Sequence, residues 1–208
     1  MQFAKAQIYK LSKKFMSIKT LDDLLKLADL IKNKDLRAQV RKVLKNPQND
    51  CYPNDPVSIK DCPGGPWHHT YRGGLIDHIY GVTAISLNIA KSFSEIYGEK
   101  INLDYLISAC LLHDIMKIYD YAYIKGKKKV VIVDNTIRHG ELGGRFLFEK
   151  GLPEEICIMV SQHLPLFEED NNISVELRIL LSADKLDTHI LFARTLLFDD
   201  YIISSADF

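Results

Sequence analysis

The stretch from Cys110 to Asp120, "CLLHDIMKIYD", decides how this chain is read. At helical period Leu103, Leu106, Ile107, Cys110 and Leu111 form one apolar stripe, and the next place on it belongs to Asp114. A carboxylate is therefore predicted to point into the core. Burying it unpartnered costs on the order of several kcal/mol even after relaxation, so the position calls for a basic side chain or a metal ion.

Neighbouring helical segments repeat the anomaly. After Gly74, Val82, Ile85 and Ile89 share a face, and one turn back from Val82 stands His78. In the last long helical segment Leu177, Leu180 and Leu181 share a face, and Asp184 follows at the heptad step. Three segments thus put an ionisable residue where the pattern asks for an apolar one, with His113 beside one of them. Imidazoles and carboxylates without thiolates suit a catalytic divalent metal of intermediate hardness, such as Mn, Fe, Co, Ni or Zn, with Mg also admissible. A core salt-bridge network is the alternative, but its cations would be histidines, which hold charge poorly when buried near neutral pH.

The rest of the chain sets the frame for such a centre. Its 208 residues are ample for a full hydrophobic core, and 47% hydrophobic with 26% charged residues is ordinary for a soluble protein. Lys plus Arg and Asp plus Glu balance at 27 each, so the whole chain carries no electrostatic footprint for nucleic acid or membrane. The four cysteines are scattered without Cys-x-x-Cys spacing, which argues against a thiolate zinc site. Lysines run through "MQFAKAQIYKLSKKF" (1–15), unlike a signal peptide, and no apolar stretch reaches membrane-spanning length. The expectation is a reduced, cytoplasmic protein.

Residues 1–50 read as short amphipathic helices, with Leu21, Leu24, Leu25, Ala28 and Ile31 at helical spacing and Thr20 or Asp22 near an N-cap. They are expected to pack as an extension on a main domain spanning 51–208. Five prolines and four glycines in "NPQNDCYPNDPVSIKDCPGGPWHHTYRGG" (46–74) indicate a long ordered loop in which Tyr52, Trp67 and Tyr71 need burial. Helices are predicted over about 75–97, 103–119, 138–150, 153–163 and 175–197, with Pro153 at a first helical position and a β-hairpin in "YAYIKGKKKVVIVD" (121–134). The fold class is all-α: a helical bundle with one small β-hairpin.

The order His78, His113-Asp114, His139, His163, Asp184 resembles the H…HD…H…H…D pattern of the HD-domain metal-dependent phosphohydrolase superfamily. "HHTYRGGLIDH" (68–78), "LLHDIMKI" (111–118) and "IRHGELGG" (137–144) are most similar to the HD module of bacterial 3′-to-5′ exoribonucleases that carry an OB-fold ahead of it. The likeness runs from about Trp67 to Asp187. The first fifty residues here are patterned as helices rather than OB strands, and Met116 stands where the family commonly has glycine, while Lys117 is retained.

The resemblance implies that His78, His113, Asp114 and Asp184 hold one metal, and that Asp114 bridges to a second completed by His139 and His163. Asp114 and Lys117 would be catalytic, with Lys117 pairing to substrate phosphate. His69 and Arg72, just before the helix presenting His78, are expected to face the substrate opening, and Arg138 to contact phosphate; Asp187 and His189 receive no metal role. The implied activity is phosphate-ester hydrolysis by metal-activated water on a small phosphorylated molecule of nucleotide type. Nucleic acid is less favoured as a partner, and no membrane is expected. A di-iron oxygenase and a non-catalytic nucleotide sensor are the alternatives. Oligomeric state carries no signal in the sequence.

Overall fold

The computed structural model describes residues 18–48, 55–133, 137–164, 173–195 and 202–203. Helix α1 (Leu21–Ala28) begins at a capping box, in which the Thr20 side chain accepts from the Asp23 backbone N–H while the Asp23 carboxylate accepts from the Thr20 backbone N–H. Helix α2 (Lys34–Lys45) starts at Asn33, whose side chain accepts from Asp35 and Leu36. Both bury a single apolar face through Leu24, Leu25, Val40 and Leu44. Each such side chain contributes about 1.5–3 kcal/mol by leaving water.

Helices α3 (Gly74–Tyr97), α4 (Leu103–Leu112), α5 (His139–Glu149), α6 (Glu154–Ser161) and α7 (Val175–Thr195) form the bundle. Helix α4 is its axis, because α1, α2, α3, α6 and α7 all pack against it. Its sequence explains this: every residue from Leu106 to Leu112 is buried, and a helix that is apolar all round belongs in the middle. At its N-terminal end the Asp104 carboxylate accepts the backbone N–H groups of Lys32 (2.7 Å) and Asn33 (2.9 Å), fastening the α1–α2 unit to the bundle. The C-terminal end delivers His113 and Asp114 to the centre of the molecule.

The continuous helix expected over 103–119 is not observed. Helix α4 stops at Leu112, Asp114 adopts φ −106° and ψ 9°, and a 3-10 turn follows over Ile115–Tyr119. The Ile118 carbonyl accepts from the Val57 N–H at 2.9 Å instead of from a further helical turn, and the tighter coil swings the chain directly into β1 (Tyr121–Tyr123). In a 3-10 turn residues three apart eclipse, which sets Lys117 over Asp114.

Strand β1 pairs antiparallel with β2 (Val130–Ile132), in the register Tyr121↔Ile132, around a turn where Gly126 takes φ 77°. A short β3 (Ile202–Ile203), not foreseen in the sequence, adds to β2 in parallel. Pro153 sits at the N-cap of α6 with ψ 138°, one place earlier than expected. Trp67 is 67% exposed rather than buried, whereas Tyr71 is half-buried with its hydroxyl on Asp77; Tyr52 lies outside the described residues. No described helix is long and apolar enough to cross a membrane.

Candidate metal centre

Asp114 is the hub. Its side chain is 1% exposed, and four imidazoles arrive from four directions. His78 from α3 brings Nε2 to 3.1 Å of Oδ2, and His113 at the end of α4 brings Nε2 to 3.4 Å of the same oxygen. His139, the first residue of α5, and His163, two residues past α6, bring Nε2 to 3.3 and 3.2 Å of Oδ1. Asp184 of α7 approaches His78 Nε2 at 3.2 Å.

Of the six residues expected to bind metal, four histidines therefore meet at the Asp114 carboxylate, and Asp184 joins them through His78. Two overlapping sets, His78 with His113 and Asp114, and Asp114 with His139 and His163, have donor atoms close enough together to hold a metal ion.

The far nitrogens of these rings fix what the near ones can do. His113 Nδ1 lies 2.8 Å from the Cys110 carbonyl and His163 Nδ1 lies 2.7 Å from the Val160 carbonyl, so both must donate there. His78 Nδ1 donates to Asp187 at 2.7 Å and His139 Nδ1 to Asp120 at 2.8 Å. With Nδ1 protonated in all four, a neutral ring presents an Nε2 lone pair to the centre.

Lone pairs then face carboxylate oxygens and one another, as where His78 Nε2 and His113 Nε2 stand 3.3 Å apart. Such an arrangement is repulsive unless a cation lies among the donors. Two atoms register the same deficit: Asp114 Oδ2 and His139 Nε2 are buried without a hydrogen-bond partner. Lys117 Nζ forms an ion pair with that Oδ2 at 2.6 Å and donates to the Gly64 carbonyl at 2.8 Å. The residues present thus fit a divalent cation, and the absence of thiolates favours a borderline metal.

Where no cation is bound, protons would take up part of this charge. Burial opposes protonation of His78, but the carboxylates of Asp114, Asp184 and Asp187, which accept hydrogen bonds from the ring, outweigh it and raise its pKa well above the ordinary imidazole value. His139 is raised in the same way, against burial, by Asp114 and Asp120. Burial pulls His163 down. Asp114 is held well below the usual carboxylate range: burial pushes it up, and the charges of Lys117 and His113 more than reverse that.

The residues expected at the substrate opening fall in different places. His69 is only 3% exposed and lies behind His78, with ring centroids 5.3 Å apart. Arg72 is exposed and its Nε donates to Asp61 at 2.5 Å. Arg138 is an exposed N-cap residue directly before His139. Asp187, given no metal role from the sequence, orients His78, and Asp120, not singled out there, orients His139. His68 and His69 form with His78 a third buried group of donor atoms, their Nδ1 atoms 3.0 Å apart. Burial, with His78 beside them, lowers His68 to about 3 and His69 to about 2.

Residues 75–189 match the HD domain family, a window that contains all six residues around Asp114 as well as Asp187. The chain is also similar to the dihydroneopterin 2′,3′-cyclic phosphate phosphodiesterase of Methanocaldococcus jannaschii. The two are 34% identical over 177 residues, covering 82% of this chain and 70% of that protein. No solved structure matches the chain.

Proposed function

Because the chain belongs to the HD-domain family, we propose that it is a metal-dependent phosphohydrolase acting on a phosphate ester of a nucleotide-like molecule. One observation carries the reading: four imidazoles with Nδ1 already engaged turn Nε2 toward a single buried carboxylate. That is how a protein prepares nitrogens for a divalent ion, because an outer partner on Nδ1 fixes the ring and strengthens the opposite donor.

The assignment is that His78, His113, Asp114 and Asp184 hold a first ion, and that Asp114 is shared with a second held by His139 and His163. Mn, Fe, Co, Ni or Zn suits these donors, with Mg admissible. A bound divalent ion would lower the pKa of water and polarise a phosphoryl oxygen.

The chain's own part is positioning and charge. Asp114 offers two oxygens, each facing two imidazoles, and so determines where cations can sit. Lys117, fixed by the Gly64 carbonyl and 2.6 Å from Asp114 Oδ2, supplies a second positive charge beside the phosphate during reaction. We assign Arg138, exposed next to His139, to the phosphate or its sugar. Hydrolysis forms a P–O bond from water and breaks one ester P–O bond, and the water proton passes to the departing oxygen.

The relative's activity suggests the ester: a 2′,3′-cyclic phosphate, as in dihydroneopterin 2′,3′-cyclic phosphate. Residues 1–50 are taken as a helical extension and 51–208 as the HD unit. The test is to load metal-free protein separately with Mn, Fe, Co, Ni, Zn or Mg and assay phosphomonoesters, linear and 2′,3′-cyclic phosphodiesters, and nucleoside triphosphates. Turnover of the cyclic esters with a transition metal is expected. A fully loaded protein inert toward the whole panel would overturn the reading.

A further inference from the structure

The tandem histidines His68 and His69 are buried, adjoin the candidate centre and are not among the six residues around Asp114. Their construction is deliberate. His69 takes φ 48°, the one positive φ at a non-glycine among the described residues. That conformation is unfavourable for an L-residue with an ordinary Cβ and persists only when its surroundings impose it.

The surroundings do impose it. A Cβ on Gly64 would come within 2.7 Å of His69 Cβ, and one on Gly65 within 2.6 Å of His68 Nε2, so the loop is cleared to admit both rings. The same loop is tied down where Lys117 donates to the Gly64 carbonyl.

The contacts of the pair lead away from the surface. His68 Nδ1 meets His69 Nδ1 at 3.0 Å, so one must donate and the other accept. His69 Nε2 lies 3.6 Å from Asp187 Oδ2, an electrostatic contact longer than a hydrogen bond, and that oxygen accepts from His78 Nδ1 at 2.7 Å. An N–H facing a carboxylate is the favourable tautomer, so His69 carries its proton on Nε2 and accepts at Nδ1 from His68. Asp187 is then flanked by two imidazole N–H groups, one from a candidate metal ligand and one from a ring outside that set. Asp187 is 7% exposed, which leaves water little access to replace either donor.

We propose that His69 and Asp187 are positioning residues which act together on His78: the His69 N–H dipole holds the Asp187 carboxylate, and Asp187 fixes the orientation and donor strength of His78. His68 locks the His69 tautomer from behind. This rests on the metal reading above. It reassigns His69 from the substrate opening to the support of a ligand.

The experiment uses full-length protein reconstituted with Co(II), whose visible absorption reports ligand geometry. Affinity is read by competition with a chelator, and folding of each metal-free variant by thermal unfolding. Asp187→Asn should weaken Co(II) binding by about 10- to 100-fold, the range for outer partners of metal ligands, and shift the visible band. His69→Ala should shift the band in the same direction.

His69→Gln can place an amide N–H where Nε2–H stood, and should restore band and affinity. His69→Asn mimics only the Nδ1 side and should not. Folded variants with wild-type band and affinity would overturn the proposal. So would equal behaviour of the Gln and Asn variants, or lost substrate affinity with an unchanged Co(II) spectrum. Wild-type protein that takes up no Co(II) would overturn the metal reading along with it; normal uptake with no response in the variants overturns the relay alone.

Discussion

The two ends of helix α4 each carry an aspartate, and they are built on opposite principles. Asp104 at the start accepts two backbone N–H groups, at 2.7 and 2.9 Å, and joins two structural units. Asp114 just past the other end pairs with Lys117 at 2.6 Å and otherwise faces imidazole nitrogens whose protons are engaged elsewhere. A carboxylate whose acceptors are used is part of the scaffold. One buried among lone pairs is shaped for something the chain does not itself contain, and such local disagreement with the rules of packing marks a working site.

Removing the two carboxylates should therefore give opposite phenotypes. Asp114→Asn is expected to lower phosphohydrolase activity by more than about 100-fold, exceeding the effect of outer partners. It should also abolish the stabilisation that metal confers on wild-type protein, which reaches about 2.7 kcal/mol at one hundred times Kd. Calorimetric melting with and without Co(II) measures this, and a metal-dependent rise retained in the variant would break the contrast.

Acidity should act on the Asp114 end in a defined direction. A cation held by His78 and His139 would require Nε2 to be unprotonated, and both pKa values are raised. Metal affinity should climb with pH and level off only above the raised His78 value, with protons released on binding. Titrations across a pH series, in buffers of different ionisation enthalpy, would show it; an affinity independent of pH would contradict the proton-for-metal exchange.

Asp104→Ala should cost about 1.5–3 kcal/mol in urea unfolding by removing charge-assisted hydrogen bonds, while Co(II) uptake stays at the wild-type level. Farther out, Thr20→Ala should cost about 1 kcal/mol through the lost N-cap. Asp23 in that capping box is held at about 2, mainly by its hydrogen bonds from Thr20. The stability it adds is present above the ordinary Asp pKa near 4 and disappears as pH falls through about 2.

The bundle and its hub were legible because His78, Asp114 and Asp184 stood at apolar steps: the stripe before Asp184 is buried throughout, while in the other two Leu103 is 41% exposed and Ile85 and Ile89 are half-buried. His139 and His163 start or follow short helices where no stripe exists to interrupt, so only the family pattern pointed to them. The break after Leu112 was hidden because Ile115, Met116, Ile118 and Tyr119 are buried in a 3-10 turn, much as a continuing helix would bury them.

Asp187 and Asp120 read as ordinary charged residues. A signal for Asp187 was nonetheless present. It stands one turn beyond Asp184, and Gly81 stands one turn beyond His78, where a Cβ would come within 2.5 Å of Asp187 Oδ1. A missing side chain beside a polar helix position is what a docked carboxylate requires. The strand at 202–203 is too short for periodicity to reveal.

That strand also gives the far end of the polypeptide a stake in the centre. Ile202 and Ile203 lie along β2, Val133 just beyond β2 donates to the Asp120 carbonyl, and the Asp120 side chain holds the His139 ring. Truncating the protein before residue 202, or fusing a bulky tag hard against that edge, would slacken the wall behind an imidazole more than sixty positions earlier in the chain. Preparations that differ only at their C-termini should then differ in how firmly they retain the second cation proposed at His139 and His163.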